Sequence, residues 1–441
     1  MAITAPKGMR DMLPDEALYW KRFQDMAADI FGRYGYVPID TPLAEQTDLF
    51  VRGIGEATDV VSKEMFNVIS GENLNTLLHG GRLKANQRLS LRPEGTAGVV
   101  RAIVQHDLVP QGATPAKLMY AGPMFRAERP QEGRYRQFHQ IGIECLGADD
   151  PTIDAEGIVM CMRFFEAVGF DPSDIVLLVN SMGCDECRPR FREMVLEYAR
   201  SHEDELCDDC RNRMDVNPLR MFDCKKDGCR EAMEGAPVIT DHLCDSCREH
   251  YGQVLGLVRG AGIAFTEDPS LVRGLDYYSR TVFEVQIASK DGAQNAIGGG
   301  GRYDKLADEV KGGGSKADLP GFGFALGYER CKEALVKKGL ELPDAKKLDV
   351  YIACAGDEAR SKCFALAQSL RDSGIVCDFD HQGKSLKSQF KAAGKQDAGY
   401  VVVLGEEELA RNEATLRDMG AHAEERVPLS DLAARLELSI G

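Results

Sequence analysis

The segment from Arg126 to Glu144 reads RAERPQEGRYRQFHQIGIE, a mixture of residues able to handle phosphate at one end and a small polar ligand at the other. Arg126, Arg129, Arg134 and Arg136 crowd a polar hairpin with only Glu128 and Glu132 against them. That balance suits phosphate groups and equally suits a solvated loop. From Phe138 the pattern has period two: Phe138, Gln140, Gly142 and Glu144 share one strand face, while His139, Ile141, Ile143 and Cys145 form the core face. An amide and a carboxylate thus point the same way, with a glycine between them opening room for a small group. A ligand carrying a positive or donor group fits there.

Two further stretches could complete such a site. Leu271 to Glu284 reads LVRGLDYYSRTVFE and bunches Arg273, Asp276, Tyr277 and Tyr278 where a turn leads into a strand over Thr281 to Ile287. A tyrosine pair is ordinarily core with its hydroxyls reaching outward, and beside an arginine and an aspartate it can also wall a polar pocket. The glycine run 298–301, followed by Arg302, Tyr303 and Asp304, allows close backbone approach to a ligand or marks a turn. Gly321 to Arg330 (GFGFALGYER) reads as a glycine-spaced strand entering a helix, with Arg330 at its exposed end.

A third group is sulfur. Cys184 and Cys187 are followed by Cys207 and Cys210, then Cys224 and Cys229, then Cys244 and Cys247. The first four match the spacing of a zinc ribbon, and eight thiolates suffice for two structural tetrahedral zincs, paired in order or crossed between halves. Free thiols are the alternative. Cys145, Cys161, Cys331, Cys354, Cys363 and Cys377 are scattered and read as small core residues.

The elements that must position these groups follow from length and pattern. A chain of 441 residues with net charge −16 and 44% hydrophobic residues has room for about three globular units. No apolar run is long enough to span a bilayer and no secretory core is present near the start, so a cytoplasmic protein with no membrane partner is expected. Acidity argues against non-specific nucleic-acid binding, leaving RNA to local patches. Pro14 to Gly35 reads as a packing helix, with Asp15 and Glu16 in its first turn and Tyr19, Phe23, Met26 and Ile30 at helical spacing. Near Pro343 to Lys347 a polar stretch reads as a linker, after which Leu348 to Ala355, Ile375 to Asp380 and Tyr400 to Leu404 read as strands separated by helical segments. Lys384, Lys387, Lys391 and Lys395 recur at three- and four-residue spacing along one expected helix face, a pattern shared by solvated stripes and phosphate-contacting ones.

Taken together these residues resemble the histidyl-tRNA synthetases, members of the class II aminoacyl-tRNA synthetases. The resemblance spans KGMRDMLP near the start, Pro42 in a motif 1-like stretch, LRPEGTAG at Leu91 to Gly98, motif 2 from Phe125 to Glu144, LVRGLDYY, IGGGGRYD, and motif 3 at GFALGYER. Motifs 2 and 3 indicate the class; LVRGLDYY with RPEGT indicates histidine. The implied fold is a multidomain α+β and α/β protein. Residues 1–180 and 256–337 would form a catalytic domain on a class II antiparallel sheet, 181–255 a cysteine-rich insertion, and 346–441 an α/β anticodon-binding domain.

The resemblance also implies roles. Arg126 would hold the α-phosphate and Arg330 the γ-phosphate of ATP, with Glu128 and Arg134 positioning the nucleotide and Mg²⁺ accompanying it. Arg273 would bridge the histidine carboxylate and the α-phosphate, making it catalytic together with Arg126. Glu94, Thr96 and Gln140 would take the α-ammonium, and Glu144 with Tyr278 the imidazole, in a pocket also lined by Tyr277. Gln131 and Arg136 are candidates for the tRNA acceptor end, and the four lysines for the anticodon side. The expected partners are histidine, ATP, tRNA(His) and a second copy in a homodimer, with no DNA. The rival reading is the non-catalytic regulatory subunit of ATP phosphoribosyltransferase, whose members generally lack the anticodon-binding part and lose active-site residues.

Overall fold

The computed structural model describes the chain except residues 1, 57, 111–113, 132, 289–294, 313, 315–316, 340–347 and 441, and the side chains of 357 and 358. Glu132 and the expected linker at 343–347 lie outside the described residues. The chain divides into two compact units, Met1–Leu342 and Pro343–Gly441.

In the first unit, the opening helix Pro14–Arg33 starts with proline at its first turn and two acids beside the helix N-terminus, and buries Phe23, Ala27, Ile30 and Phe31. It ends two residues before Gly35, whose φ of 84° lets the chain turn away. Among the described residues, eight strands form the main sheet in the order Val37–Pro38, Ala116–Phe125, Gln137–Leu146, Gly321–Gly327, Ala296–Arg302, Ser279–Ile287, Ile175–Ser181 and Thr266–Glu267. Only the two short edge strands pair parallel; the six between them are antiparallel. A smaller antiparallel sheet joins Ala44–Gln46, Leu89–Leu91 and Asn67–Val68.

The glycine run 298–301 is no turn. It lies inside the strand Ala296–Arg302, where a Cβ on Gly299 would come within 2.8 Å of Arg273 Nη1. Glycine here lets a neighbouring loop and its guanidinium lie directly on the sheet.

Helix Pro151–Ala167, capped by Asp150 accepting from Thr152 N at 2.9 Å, covers the sheet with Ile158, Phe164 and Phe165 buried. Its Asp154 is wholly buried, accepting from Arg302 Nε at 3.0 Å and from His250 Nε2 at 2.9 Å. Burial alone would raise the Asp154 pKa, but the bonds from His250 and the charge of Arg302 outweigh it and leave it lowered. This triad ties sheet, covering helix and the helix Asp245–Gly260 together.

Between the strand Ile175–Ser181 and Thr266 the chain is helical, with Cys187–Ser201, Asp208–Val216, Asp227–Met233 and Asp245–Gly260 as its α-helices among the described residues. The last of these carries Cys247 and runs on through Gly260, burying Val254, Leu255 and Val258, so an insertion boundary at 255 falls inside a helix.

The second unit is an α/β sheet ordered Cys377–Phe379, Val350–Cys354, Tyr400–Leu404, Glu413–Asp418, Glu424–Pro428. The first three strands are parallel and the last two antiparallel. The final pair, EATLRD and EERVP, escapes a reading from apolar runs because its residues alternate with charge and lie at the sheet edge. Helix Leu386–Lys395 places Lys387, Lys391 and Lys395 on an exposed face; Lys384 precedes the helix cap and is not part of that stripe. No helix among the described residues is long and apolar enough to cross a membrane.

Candidate active site

The long hairpin of Ala116–Phe125 and Gln137–Leu146 supplies the phosphate end of the site. Arg126, just past the first strand, donates from Nε to Pro93 O at 2.9 Å, and its guanidinium lies 5.4 Å from the Phe138 ring centroid. Glu128 and Arg134 form an ion pair across the loop at 2.7 Å. Arg330 sits in the first turn of helix Tyr328–Lys337 and is half-buried, not at an exposed end: Nε donates to Gly133 O at 3.1 Å and Nη1 to Ala296 O at 2.9 Å. Burial and the neighbouring Arg134 guanidinium push its pKa down from the ordinary arginine value. A cavity of about 220 Å³ is bordered by Arg126, Glu128, Arg134, Arg273 and Arg330, with Gln140 and Gly299 on its inner wall. A surface with four guanidiniums and two glycine-bared backbone stretches fits a polyphosphate.

Arg273 reaches this cavity from the 271–278 loop. Its Nη1 donates to Glu284 Oε2 at 2.7 Å, and its guanidinium stands 5.6 Å from the Tyr278 ring centroid. Gln140 Oε1 is buried with no hydrogen-bond partner among the described residues, an acceptor suited to a ligand ammonium.

Deeper in the same sheet lies a buried polar cluster. Glu144 is 0% exposed and accepts from Thr96 Oγ1 at 2.7 Å and from the Tyr303 hydroxyl. Burial drives its carboxyl well above the ordinary range, against the hydrogen bonds of Tyr303 and Thr96. Glu94 accepts from Thr96 N at 2.7 Å and Ala97 N at 2.9 Å, satisfying the opening N–H groups of helix Thr96–His106. Burial raises its pKa as well, partly offset by those bonds. Tyr277 and Tyr278 are buried side by side, ring centroids 4.6 Å apart, and Tyr277 meets Tyr303 edge to face at 5.8 Å.

The room expected beside Gly142 is taken. Tyr120, its register partner on the adjacent strand, lays its ring against that glycine, and Gly323 on the other side makes way for the Glu144 carboxylate. Tyr120 and Tyr303 are the members of the cluster that no role was read for. Tyr303 follows a glycine run that fits a turn as well as a ligand approach, and Tyr120 sits in an apolar strand where only its pairing with Gly142 gives it away.

The tRNA candidates of the hairpin differ in setting. Gln131 is exposed, whereas Arg136 is fixed at the loop base, donating from Nε to Glu128 O at 3.1 Å and from its backbone N to Gly8 O of the KGMRD stretch at 2.8 Å. Arg136 is therefore not on a free loop.

The eight insertion thiols collect into two sets, Cys184, Cys187, Cys244 and Cys247, and Cys207, Cys210, Cys224 and Cys229. The first two pairs are not grouped together, so of the two pairings open from the sequence the thiols take the one crossed between the halves and not the in-order set Cys184, Cys187, Cys207 and Cys210. The pairing is nested: the outermost pairs close the neck of the insertion and the inner four close its middle. Spacing fits both arrangements, because a Cys-x-x-Cys turn presents its sulfurs in the same way to any partner. The six scattered cysteines are all buried.

The chain matches the sequence family described as Histidyl-tRNA synthetase over residues 8–331, and one described as Anticodon binding domain over 349–437. It is 43% identical over 437 residues to the Histidine--tRNA ligase of Halothermothrix orenii, covering 99% of both chains. Among solved structures it resembles apo histidyl-tRNA synthetase of S. aureus, with a TM-score of 0.80 and 32% identity over 99% of this chain and 100% of that one. An ATP phosphoribosyltransferase regulatory subunit/histidyl-tRNA synthetase from Bacillus halodurans shares the fold at a TM-score of 0.63 and 19% identity, covering 92% of this chain and 99% of that one. By family match and full-length identity, the chain belongs to the histidyl-tRNA synthetase family.

Proposed function

We propose that the protein is a histidine–tRNA ligase that joins histidine to ATP as histidyl-adenylate, releasing pyrophosphate, and then passes the histidyl group to the 3′-terminal adenosine of tRNA(His). The observation that carries this reading is a cavity bordered by four arginines with Gln140 on its wall, and a buried Glu144 four residues further along the same strand face. The regulatory-subunit alternative leaves those residues, and the 349–437 anticodon-binding match, without a use.

In the first step a histidine carboxylate oxygen attacks the α-phosphorus, and the bond to the bridging oxygen of pyrophosphate breaks. Arg126 and Arg273 are assigned to the charge that grows on the α-phosphate oxygens, the main electrostatic demand of phosphoryl chemistry. Arg330 takes the γ-phosphate, and Glu128 and Arg134 hold the nucleotide through their ion pair. Glu128 and Glu284 are the carboxylates on this wall fit to meet Mg²⁺, which supplies further neutralisation of the triphosphate when bound.

Histidine is held at both ends. Gln140, with its open acceptor, takes the α-ammonium together with Glu94 and Thr96. Neutral imidazole has one donor and one acceptor, which Glu144 and the phenol of Tyr278 satisfy, with Tyr277 packed alongside. A pocket built this way rejects ring isosteres lacking those groups by about four orders of magnitude. In the second step the adenosine hydroxyl attacks the carbonyl carbon and AMP leaves; Gln131 and Arg136 at the hairpin and Lys384, Lys387, Lys391 and Lys395 in the second unit are assigned to tRNA.

The helix Gly71–Leu78 contains no buried residue although Leu74, Leu77 and Leu78 are apolar, and a homodimer would cover it. The cytoplasm, where thiols stay reduced, is the compartment assigned. Structural zinc is assigned to the two thiol sets: Sγ separations of 3.7 Å (Cys184 to Cys187), 3.8 Å (Cys184 to Cys244) and 4.0 Å (Cys207 to Cys224) suit the edge of about 3.8 Å expected for a tetrahedron with Zn–S bonds of about 2.3 Å. Charging of a tRNA(His) transcript with labelled histidine tests the main reading; purified protein that charges none, at saturating ATP, would refute it.

A further inference from the structure

The inner thiol set lies at the root of a turn that grips the active-site loop. Cys210 sits in helix Asp208–Val216, and the short helix Pro218–Met221 follows, buried through Pro218, Leu219 and Met221. Cys224 N then donates to Met221 O at 3.0 Å, so the turn is tied directly to the next cysteine. On the other side, Cys207 N donates to Cys229 Sγ at 3.2 Å, the kind of backbone bond that stabilises a thiolate.

From this turn two side chains reach out of the insertion. Arg220 Nη2 donates to Gly274 O at 2.7 Å, and Asn217 Nδ2 donates to Asp276 Oδ1 at 3.2 Å. Gly274 and Asp276 flank Leu275 in the loop that carries Arg273, and the loop's opposite side is held by Asp276 N donating to Ile54 O at 3.1 Å. Arg213, from the helix bearing Cys210, donates from Nη1 to Arg220 O at 3.1 Å and so steadies the gripping residue. The loop is thus clamped between the catalytic unit's own backbone and the cysteine-rich insertion.

We propose that zinc held by Cys207, Cys210, Cys224 and Cys229 fixes the 217–221 turn so that Asn217 and Arg220 act as positioning residues for Arg273 in histidine activation. The proposal rests on the zinc reading above and goes beyond it, because it makes one of the two centres a support of the adenylation step and not merely of the insertion's fold. The outer set, Cys184, Cys187, Cys244 and Cys247, closes the neck where the insertion leaves and rejoins the sheet, and reaches the turn less directly, through Arg192 of the helix starting at Cys187, whose Nη2 donates to Val216 O at 2.6 Å. Without the inner ion the turn keeps its buried Pro218, Leu219 and Met221 but loses the fixed anchor on either side of it, at Cys210 and at Cys224. A guanidinium misplaced by about 1 Å from a site of phosphoryl transfer costs on the order of a hundredfold in rate.

The test uses the full-length protein purified without chelator. Zinc content, melting temperature, and kcat and KM in histidine-dependent pyrophosphate exchange are measured for the parent, C207S/C210S, N217A/R220A, R220K and the combination of the two double variants. Two zincs are expected in the parent and in N217A/R220A, and one in C207S/C210S. Both double variants lose about tenfold to a hundredfold in kcat, with the KM for ATP changed by no more than about threefold. The combination is no worse than C207S/C210S alone by more than about twofold, as for groups acting through one path. R220K, which keeps a donor for Gly274 O, recovers most of the rate. A parent without zinc overturns this proposal together with the zinc reading. A two-zinc parent whose kcat survives N217A/R220A, or losses that multiply in the combination, overturns this proposal alone.

Discussion

Replacing Glu144 by glutamine isolates the contact to which we assign the choice of amino acid. The carboxyl is wholly buried, accepts from Thr96 Oγ1 at 2.7 Å and from Tyr303, and is pushed well above its ordinary pKa by burial. Glutamine has the same shape and keeps one carbonyl acceptor; the Thr96 and Tyr303 hydroxyls can rotate to accept from its amide. The fold should therefore hold, with a melting temperature within a few degrees of the parent, since a satisfied polar network is replaced by another. What disappears is the carboxyl group assigned to the imidazole, which burial favours in its neutral form. A hydrogen bond between neutral groups is worth about 0.5–1.5 kcal/mol net, so kcat/KM for histidine should fall by about twofold to tenfold. The readout is histidine titration in pyrophosphate exchange, with ATP titrated separately; the KM for ATP should stay within about twofold. An unchanged kcat/KM for histidine in a folded E144Q protein, or a loss expressed only in the ATP titration, would refute the reasoning.

The other outcomes follow from named contacts. R273K keeps a cation beside Glu284 but loses the planar fork, and exchange should fall by at least about a hundredfold with the melting temperature nearly unchanged. G323A puts a methyl group against the Glu144 carboxylate and should weaken histidine use while leaving the KM for ATP alone, as titrations of each substrate would show. D154N removes the buried one of the two carboxylates paired with Arg302, leaving Asp304 at 3.2 Å, and should cost about 3 kcal/mol in urea melts at neutral pH. The Asp154 pKa is lowered by folding, so its contribution is fully present above the unfolded value of about 3.9 and is lost as pH falls through the folded one. The stability gap between parent and D154N should therefore be flat above about pH 5 and close in acid. Changing Lys387, Lys391 and Lys395 together to alanine should weaken tRNA binding and reduce its salt slope without touching pyrophosphate exchange, checked by filter binding across a salt series.

How much of this was legible in the sequence depends on which interactions are local. The strand face bearing Gln140 and Glu144 could be read because strand parity is set by residues two apart, and the structure keeps that parity. The opening helix could be read from its proline, its acids and its apolar spacing. Gly142 was misread because an empty position on one strand says nothing of what the neighbouring strand puts into it; Tyr120 fills it through a pairing between residues far apart in sequence. The glycine run fitted a ligand approach and a turn equally, because four glycines have no side-chain pattern to betray a strand, and what they make room for, Arg273 among others, arrives from another segment. The nested grouping of the cysteines likewise depends on how four helices fold back on one another. Family motifs supplied the roles of Arg126, Arg273 and Arg330; residue spacing alone gave only a basic loop.

The central claim is that one cavity joins an arginine-lined phosphate end to an acidic and phenolic end that selects imidazole. Pyrophosphate exchange run with each of the twenty standard amino acids in turn tests it most directly. Exchange with histidine alone, lost in R273K and depressed in E144Q, is the predicted result; exchange with a different amino acid, or with none, would contradict it.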